Sequence, residues 1–296
     1  MKKIKIEKIA ILGATHGNES IGLQLIKNWT KNPDKIQRST IKSDAYIANI
    51  KAAKQNRRYV DQDLNRSFSL KDLHKKPKNY EQTLAKKLNK ILGPKASKKE
   101  NYDFIIDLHS STANMGITII ITDNDPYSIL VAKILKEKFP EIKILTLFED
   151  RLTQPYITSI AKHALTIEVG PIPQGAIFAE TIFATQKIVF EILNIIENLN
   201  NLKQLPIKSK IECYNYITSI DYPKNSLKEI AALIHPKIQG KDFQPIKIGN
   251  PIFIDFNQEE ICYDGKYGEI IHPVFIGEVA YIEKQIAMMF TKKIML

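Results

Sequence analysis

The chain has 296 residues, 44% hydrophobic and 25% charged, which suits one large domain with a smaller one and argues against disorder. The longest aliphatic run, around Ile117 to Ile121, falls far short of the roughly 20 residues that span a bilayer, and Glu7 and Lys8 separate Met1-Lys2-Lys3 from the short apolar run Ile9 to Leu12. Neither a membrane span nor an export signal is therefore read, and a cytoplasmic location is expected. The formal net charge of +11 raises nucleic acid as a partner, but the basic residues are scattered (Lys51, Lys54, Arg57, Arg58, then Lys75, Lys76, Lys78, then Lys95, Lys98, Lys99). No nucleic acid or membrane partner is expected from that pattern; a basic surface instead draws an anionic small substrate towards a cleft. Cys213 and Cys262 read as reduced structural thiols.

In chain order, Lys8-Ile-Ala-Ile-Leu-Gly13 is a short apolar run ending in glycine, and Ile21, Leu25, Ile26 and Trp29 follow at helical spacing, which reads as strand, loop, helix. The pattern returns at Tyr102 to His109, at Ile117 to Ile121 before a helical stretch over Ser128 to Phe139, and at Leu165 to Val169. This alternation predicts an α/β fold with an at least partly parallel sheet flanked by helices. The positions Ile182, Phe183, Ile188, Val189, Ile192 and Ile195 predict one long amphipathic helix between Ala179 and Leu199. A domain boundary is set after it, giving domains over 1–203 and 204–296. The second carries short β-prone runs (Ile211 to Ile220, Glu229 to Ile234, Pro251 to Ile254, Val274 to Ile282) and turns at Asp264-Gly265 and Ile248-Gly249-Asn250, and so reads as a smaller β-rich domain contributing to the cleft.

The most informative stretch is Gly13-Ala-Thr-His-Gly-Asn-Glu19, which puts His16 and Glu19 three residues apart where a strand gives way to a helix. On its own, His-x-x-Glu recurs by chance. A catalytic zinc uses three protein ligands and keeps a fourth position for water, so a distant third ligand is expected. Of His74, His109, His163, His235 and His272, only His109 ends an apolar strand-like run that is followed by the polar stretch Ser110 to Asn114. His16, His109 and Glu168 all fall at carboxyl ends of predicted strands, where ligands bind in open α/β sheets. A carboxylate that ends a buried strand, as Glu168 does, needs a reason to tolerate desolvation, and a general base beside zinc supplies one. Asp107, two residues before His109, points to the same strand face. It reads equally as an outer partner orienting that histidine or as a strand-end aspartate satisfied by backbone.

Taken with Arg58-Tyr-Val-Asp-Gln-Asp-Leu-Asn-Arg66, Asp107-Leu-His109 with Thr112-Ala-Asn-Met-Gly116, Ile167-Glu-Val-Gly-Pro171 with Pro173-Gln-Gly175, and Ala280-Tyr281, the chain resembles the succinylglutamate desuccinylase and aspartoacylase family of zinc hydrolases. The resemblance covers nearly the whole chain. It implies a zinc-carboxypeptidase-like mixed sheet and one zinc ion per subunit held by His16, Glu19 and His109. It further implies Glu168 as general base, Arg58 polarising the scissile amide carbonyl, and Asn65, Arg66 and Tyr281 gripping the substrate's carboxylate. Asp61 and Asp63 are expected to hold the arginines in place. A homo-oligomer, dimer or larger, is also implied.

The activity so implied is deacylation of an N-acyl amino acid, first among them N-acetyl-L-aspartate, giving acetate and L-aspartate. The alternatives are N-acetylated aromatic or N-succinyl substrates, or carboxypeptidase-like hydrolysis. One departure bears on specificity: aspartoacylases of the mammalian kind carry an arginine and an upstream tyrosine just before the strand of the general base, where this chain has Thr158 and Gln154. Arg151 and Lys284 are the nearby cations able to compensate.

Overall fold

A computed structural model describes residues 4–97, 100–203 and 210–296. The chain runs β1 (Lys8–Gly13), α1 (Ser20–Lys31), β2 (Lys42–Ile47), α2 (Ile50–Lys54), α3 (Leu70–His74), α4 (Tyr80–Leu92), β3 (Phe104–Ser110), β4 (Gly116–Ile121), α5 (Pro126–Lys138), β5 (Lys143–Thr146), β6 (His163–Gly170) and α6 (Ala179–Asn200). It continues through β7 (Glu212–Asp221), β8 (Ala232–Ile234), β9 (Ile246–Lys247), β10 (Pro251–Asp255), β11 (Glu260–Cys262), β12 (Ile270–Val274) and β13 (Ile286–Met295). A large sheet takes the order β2-β1-β3-β6-β4-β5-β7-β13-β12-β9, and β11-β10-β8 form a small one. The pairs β2/β1, β1/β3 and β3/β6 are parallel, whereas β4 runs antiparallel to β6. This is the mixed sheet that the alternating pattern and the resemblance predict.

The strands that carry the site are apolar on both faces because helices cover both faces. Ile9 and Ile11 of β1 and Phe104 and Ile106 of β3 pack with Leu25, Ile26 and Trp29 of α1 and with Val189 and Ile192 of α6. The intervening Ala10, Leu12 and Ile105 face Ala85, Leu88 and Leu92 of α4. This period of two places every other side chain in one layer. At the carboxyl end of β1 a Cβ on Gly13 would lie 2.6 Å from the Gly22 carbonyl oxygen. Only glycine lets α1 lie this close to the strand end, and that approach puts the start of α1 beside the carboxyl end of β3.

The C-terminal part does not stand apart from the main sheet. β7 pairs with β5 and with β13, extending the sheet, while the small sheet adds the β-rich texture that composition predicts. The expected limit between 203 and 204 borders residues 204–209, which lie outside the described residues, as do Met1-Lys2-Lys3, Lys98 and Lys99. One predicted run is corrected. Val274 to Ile282 is not a strand: β12 ends at Val274, and Val279–Lys284 form a 3-10 turn. Gly277, at φ +67°, breaks the extended run, and the Glu278 side chain then caps the turn by accepting from the Ala280 N–H at 2.9 Å. Among the described residues no helix is long and apolar enough to cross a membrane. Both cysteines are free, Cys213 buried and Cys262 exposed.

Candidate metal centre and active-site cleft

His16 lies on the loop leaving β1, Glu19 immediately precedes α1, and His109 sits one residue before the end of β3. The fold brings these three together. They are only 4%, 6% and 5% exposed, and their donor atoms all lie within 4.8 Å of one another, so the group could hold a metal ion. Both Nδ1 atoms face the Glu19 carboxylate, His16 at 2.6 Å from Oε1 and His109 at 2.9 Å from Oε2. The far nitrogens are held by other carboxylates. His109 Nε2 lies 2.7 Å from Asp107 Oδ2, and His16 Nε2 lies 3.0 Å from Asp63 Oδ1. Thr15 donates to the second Asp107 oxygen at 2.7 Å. A histidine whose outer nitrogen donates to a carboxylate presents its inner lone pair in a fixed direction, which is the usual support of a metal-ligating imidazole. Of the two readings of Asp107, contact with His109 is the one found. Burial alone would raise the Glu19 carboxyl, yet the two imidazoles bring it below the usual carboxylate range.

Glu168 is the register partner of His109 on the neighbouring parallel strand β6, so the two side chains stand on one face of the sheet. Burial, aided by the charges of Glu19 and Glu278, raises its carboxyl well above the usual range against the opposing pull of His109 and Arg58. Arg58 Nη2 donates to Asp63 Oδ2 at 2.9 Å and Nη1 reaches Glu19 Oε1 at 3.4 Å. Asp63 therefore touches the histidine and the arginine at once. Asn65, Arg66 and Tyr281 line the same cleft with His16, Glu19, Arg58, His109 and Glu168. Asn65 Oδ1 accepts from the Ile157 N–H at 2.7 Å, leaving its amide nitrogen for other partners. The Arg66 guanidinium lies over the Tyr156 ring, 5.3 Å from its centroid.

Other expectations are redistributed. Asp61 does not hold an arginine: it accepts from the Tyr80 N–H at 2.9 Å and caps α4. Arg151 pairs with Glu100 and is not among the cleft residues, so it does not compensate there. Lys284 lines an adjoining cavity that shares Arg58, Arg66 and Tyr281 with the cleft. Neither Gln154 nor Thr158 lines the cleft, because both are buried and Gln154 donates to the Thr122 and Glu149 carbonyls at 2.8 and 2.9 Å. Tyr156, between them, is the residue that does.

Sequence reasoning passed over Tyr156 and Glu278. Glu278 is 6% exposed and accepts from Ser111 Oγ, from the Thr112 N–H at 2.8 Å and from Thr112 Oγ1 at 3.0 Å. It thereby clamps the turn bearing Tyr281 to the loop that follows His109. The cleft is also lined by apolar and aromatic side chains, Ile120, Leu145, Leu147, Tyr216, Phe275 and Met289.

Comparison with known proteins agrees with this picture. Residues 5–196 match the succinylglutamate desuccinylase/aspartoacylase catalytic domain, and 209–293 match the AstE/AspA barrel-sandwich hybrid domain. The chain is 41% identical over 290 residues to a probable aspartoacylase of Trichodesmium erythraeum, covering 98% of each chain. It is 36% identical over 294 residues to the human N-acyl-aromatic-L-amino acid amidohydrolase, covering 97% of this chain and 91% of that one. The crystal structure of murine aminoacylase 3 superposes with a TM-score of 0.94 at 33% identity, covering 100% of this chain and 98% of that one. Two domain matches in sequence, near-complete coverage and a shared fold leave one assignment: the chain belongs to the succinylglutamate desuccinylase/aspartoacylase family.

Proposed function

We propose that the protein is a zinc-dependent amidohydrolase that deacylates N-acyl amino acids. The observation that carries this reading is the convergence of His16, Glu19 and His109 with Glu168, in register beside His109, and with Arg58 on the same cleft. Two imidazole nitrogens and one carboxylate oxygen, with no thiolate, suit a catalytic zinc with a position left for water. One such ion per subunit would supply Lewis-acid activation of water and of the substrate carbonyl.

The chain's own groups account for the remaining steps. Glu168, in register beside His109, takes a proton from the attacking water. The Arg58 guanidinium, fixed by Asp63, faces the negative charge that develops on the carbonyl oxygen. When the C–N bond breaks, Glu168 returns the proton to the leaving amine. Arg66 and Tyr281, with the free Asn65 amide, take the α-carboxylate of the amino acid, a pairing that suits a guanidinium fork.

For the amino-acid side chain, the apolar lining from Ile120 to Met289 favours an apolar or aromatic group, since Arg58 and Arg66 are already engaged and Arg151 lies elsewhere. N-acetyl-L-aspartate is the second reading, favoured by the relatives named aspartoacylase and by Lys284 at the adjoining cavity. The test is free-amine release by zinc-loaded protein from N-acetylphenylalanine, N-acetylaspartate, N-acetylglutamate, N-succinylglutamate and N-formylaspartate. Preference for N-acetylphenylalanine is expected. Preference for N-acetylaspartate selects the second reading, and absent or chelator-insensitive release across the panel refutes the hydrolase.

A further inference from the structure

The segment from Arg58 to Arg66 carries three cleft residues and Asp63, yet its regular structure amounts to one 3-10 turn, Leu64–Arg66. Its backbone donors need partners if those side chains are to keep one geometry. A single side chain outside the cleft supplies them for three consecutive residues. Glu81, in the first turn of α4, has no exposed surface. One of its oxygens accepts from the Val60 N–H at 2.7 Å and from the Asn49 side-chain amide at 3.1 Å. The other accepts from the N–H groups of Asp61 at 3.0 Å and Gln62 at 3.3 Å.

Three consecutive backbone N–H groups turned on one carboxylate form an anion-binding nest. The chain fills this nest with its own carboxylate. The grip is reciprocal, because Asp61 accepts from the Tyr80 N–H at the start of α4, where a negative charge also complements the helix dipole. Gln62 adds to it, accepting from Asn79 at 2.7 Å and from Gln82 at 3.1 Å. At the other end of the segment the Arg58 carbonyl accepts from the Gly17 N–H at 3.1 Å, next to the metal-facing His16.

Removing a carboxylate wholly from water is costly, and apolar packing of α4 against the sheet does not require an acid at this position. From this we propose that Glu81 is a positioning residue for the deacylation: it fixes the reach of Arg58, Asn65 and Arg66, so recognition of the substrate's carboxylate depends on a charge the substrate never touches. The proposal rests on the roles given to those three residues under the proposed function.

The test uses the full zinc-loaded chain carrying Glu81→Gln or Glu81→Asp. Glutamine keeps the shape but turns a donor towards donors. Three quantities are read: bound zinc per chain, hydrogen exchange of the amides of residues 60 to 62, and the ratio of kcat/KM for an N-acyl amino acid to that for its carboxamide, using the panel member the wild type cleaves best. In Glu81→Gln the bound zinc per chain stays at the wild-type value, the three amides exchange faster, and the ratio falls about tenfold, the size expected for a displaced charged hydrogen bond. Glu81→Asp recovers part of the ratio. A merely structural role lowers both substrates together and leaves the ratio unchanged, which overturns the proposal. So does unaltered exchange at residues 60 to 62. Should the wild type cleave no panel member, the deacylase reading fails and the exchange measurement alone decides on the anchor.

Discussion

Asp63 accepts on both oxygens from groups with different tasks: Oδ1 from His16 Nε2 at 3.0 Å and the Asn65 N–H at 2.9 Å, Oδ2 from Arg58 at 2.9 Å. Although it is largely buried, His16 and the arginines hold its carboxyl far below the usual range. An amide cannot accept on both sides. Asp63→Asn should therefore bind zinc about 10- to 100-fold more weakly, as outer partners of metal ligands commonly do when lost, and should turn over slowly even at saturating zinc because Arg58 loses its tether. Glu168→Gln separates the two effects, keeping zinc affinity near the wild-type value while losing turnover, since an amide cannot take the water proton. Competition with a chromophoric chelator and kcat at saturating metal check both. Wild-type affinity and turnover in Asp63→Asn would refute the shared tether.

At the scale of elements, β1, β3 and β6 were legible because each is mainly apolar and buried on both faces, and the site residues lie towards the carboxyl ends of those strands. β2 and β5 were not read, β2 because the polar residues Lys42, Ser43 and Asp44 open it and β5 because it has only four residues. β13 hides its strand character because its ladder with β7 shifts register at two places. The Glu278 clamp was illegible for a different reason: its partner Thr112 lies 166 residues away, and no local pattern marks such a contact. Lys95 is of the same kind. Its buried Nζ donates to the Phe68 and Gln154 carbonyls and to Ser159 Oγ at 2.7–2.8 Å, joining the turn after α4 to the segment that bears Tyr156. Burial, with the charge of Arg151 adding, lowers its pKa from 10.5 to about 7. Between those values the unfolded chain holds a proton that the folded chain does not, so this group's stabilisation is full above 10.5 and is lost as pH falls through 7. Lys95→Met lacks the proton. Urea unfolding at about pH 7.5 and about pH 9.5 should show the wild type gaining on the variant as pH rises, by at most about 1.4 kcal/mol per pH unit. A difference that does not change with pH would exclude the shift.

At the scale of the molecule, two family domains share one sheet, because β7 pairs with β5 of the N-terminal part and with β13. Two C-terminal carboxylates also grip the loop after His109. Glu278 takes the Thr112 N–H, and Asp242 takes the Asn114 N–H at 3.2 Å while holding the Ile276 N–H at 3.0 Å. Parts joined by continuous backbone pairing and buried charged contacts lose their partners together, so unfolding should be one cooperative event despite the chain's length. The sequence provides a probe for each part. Trp29, the single tryptophan, is buried in α1, the helix that follows the loop bearing His16, and Cys213 is buried in β7. With Cys262→Ser leaving Cys213 as the one thiol, Trp29 fluorescence and Cys213 alkylation should report the same urea midpoint. Removing zinc should lower that midpoint for both probes equally, because a ligand bound only by the folded state stabilises whatever unfolds as a unit, by about 4 kcal/mol at free metal 1,000 times Kd. If chelation moved the Trp29 transition and left that of Cys213 in place, the two parts would fold independently and the shared sheet would not couple them.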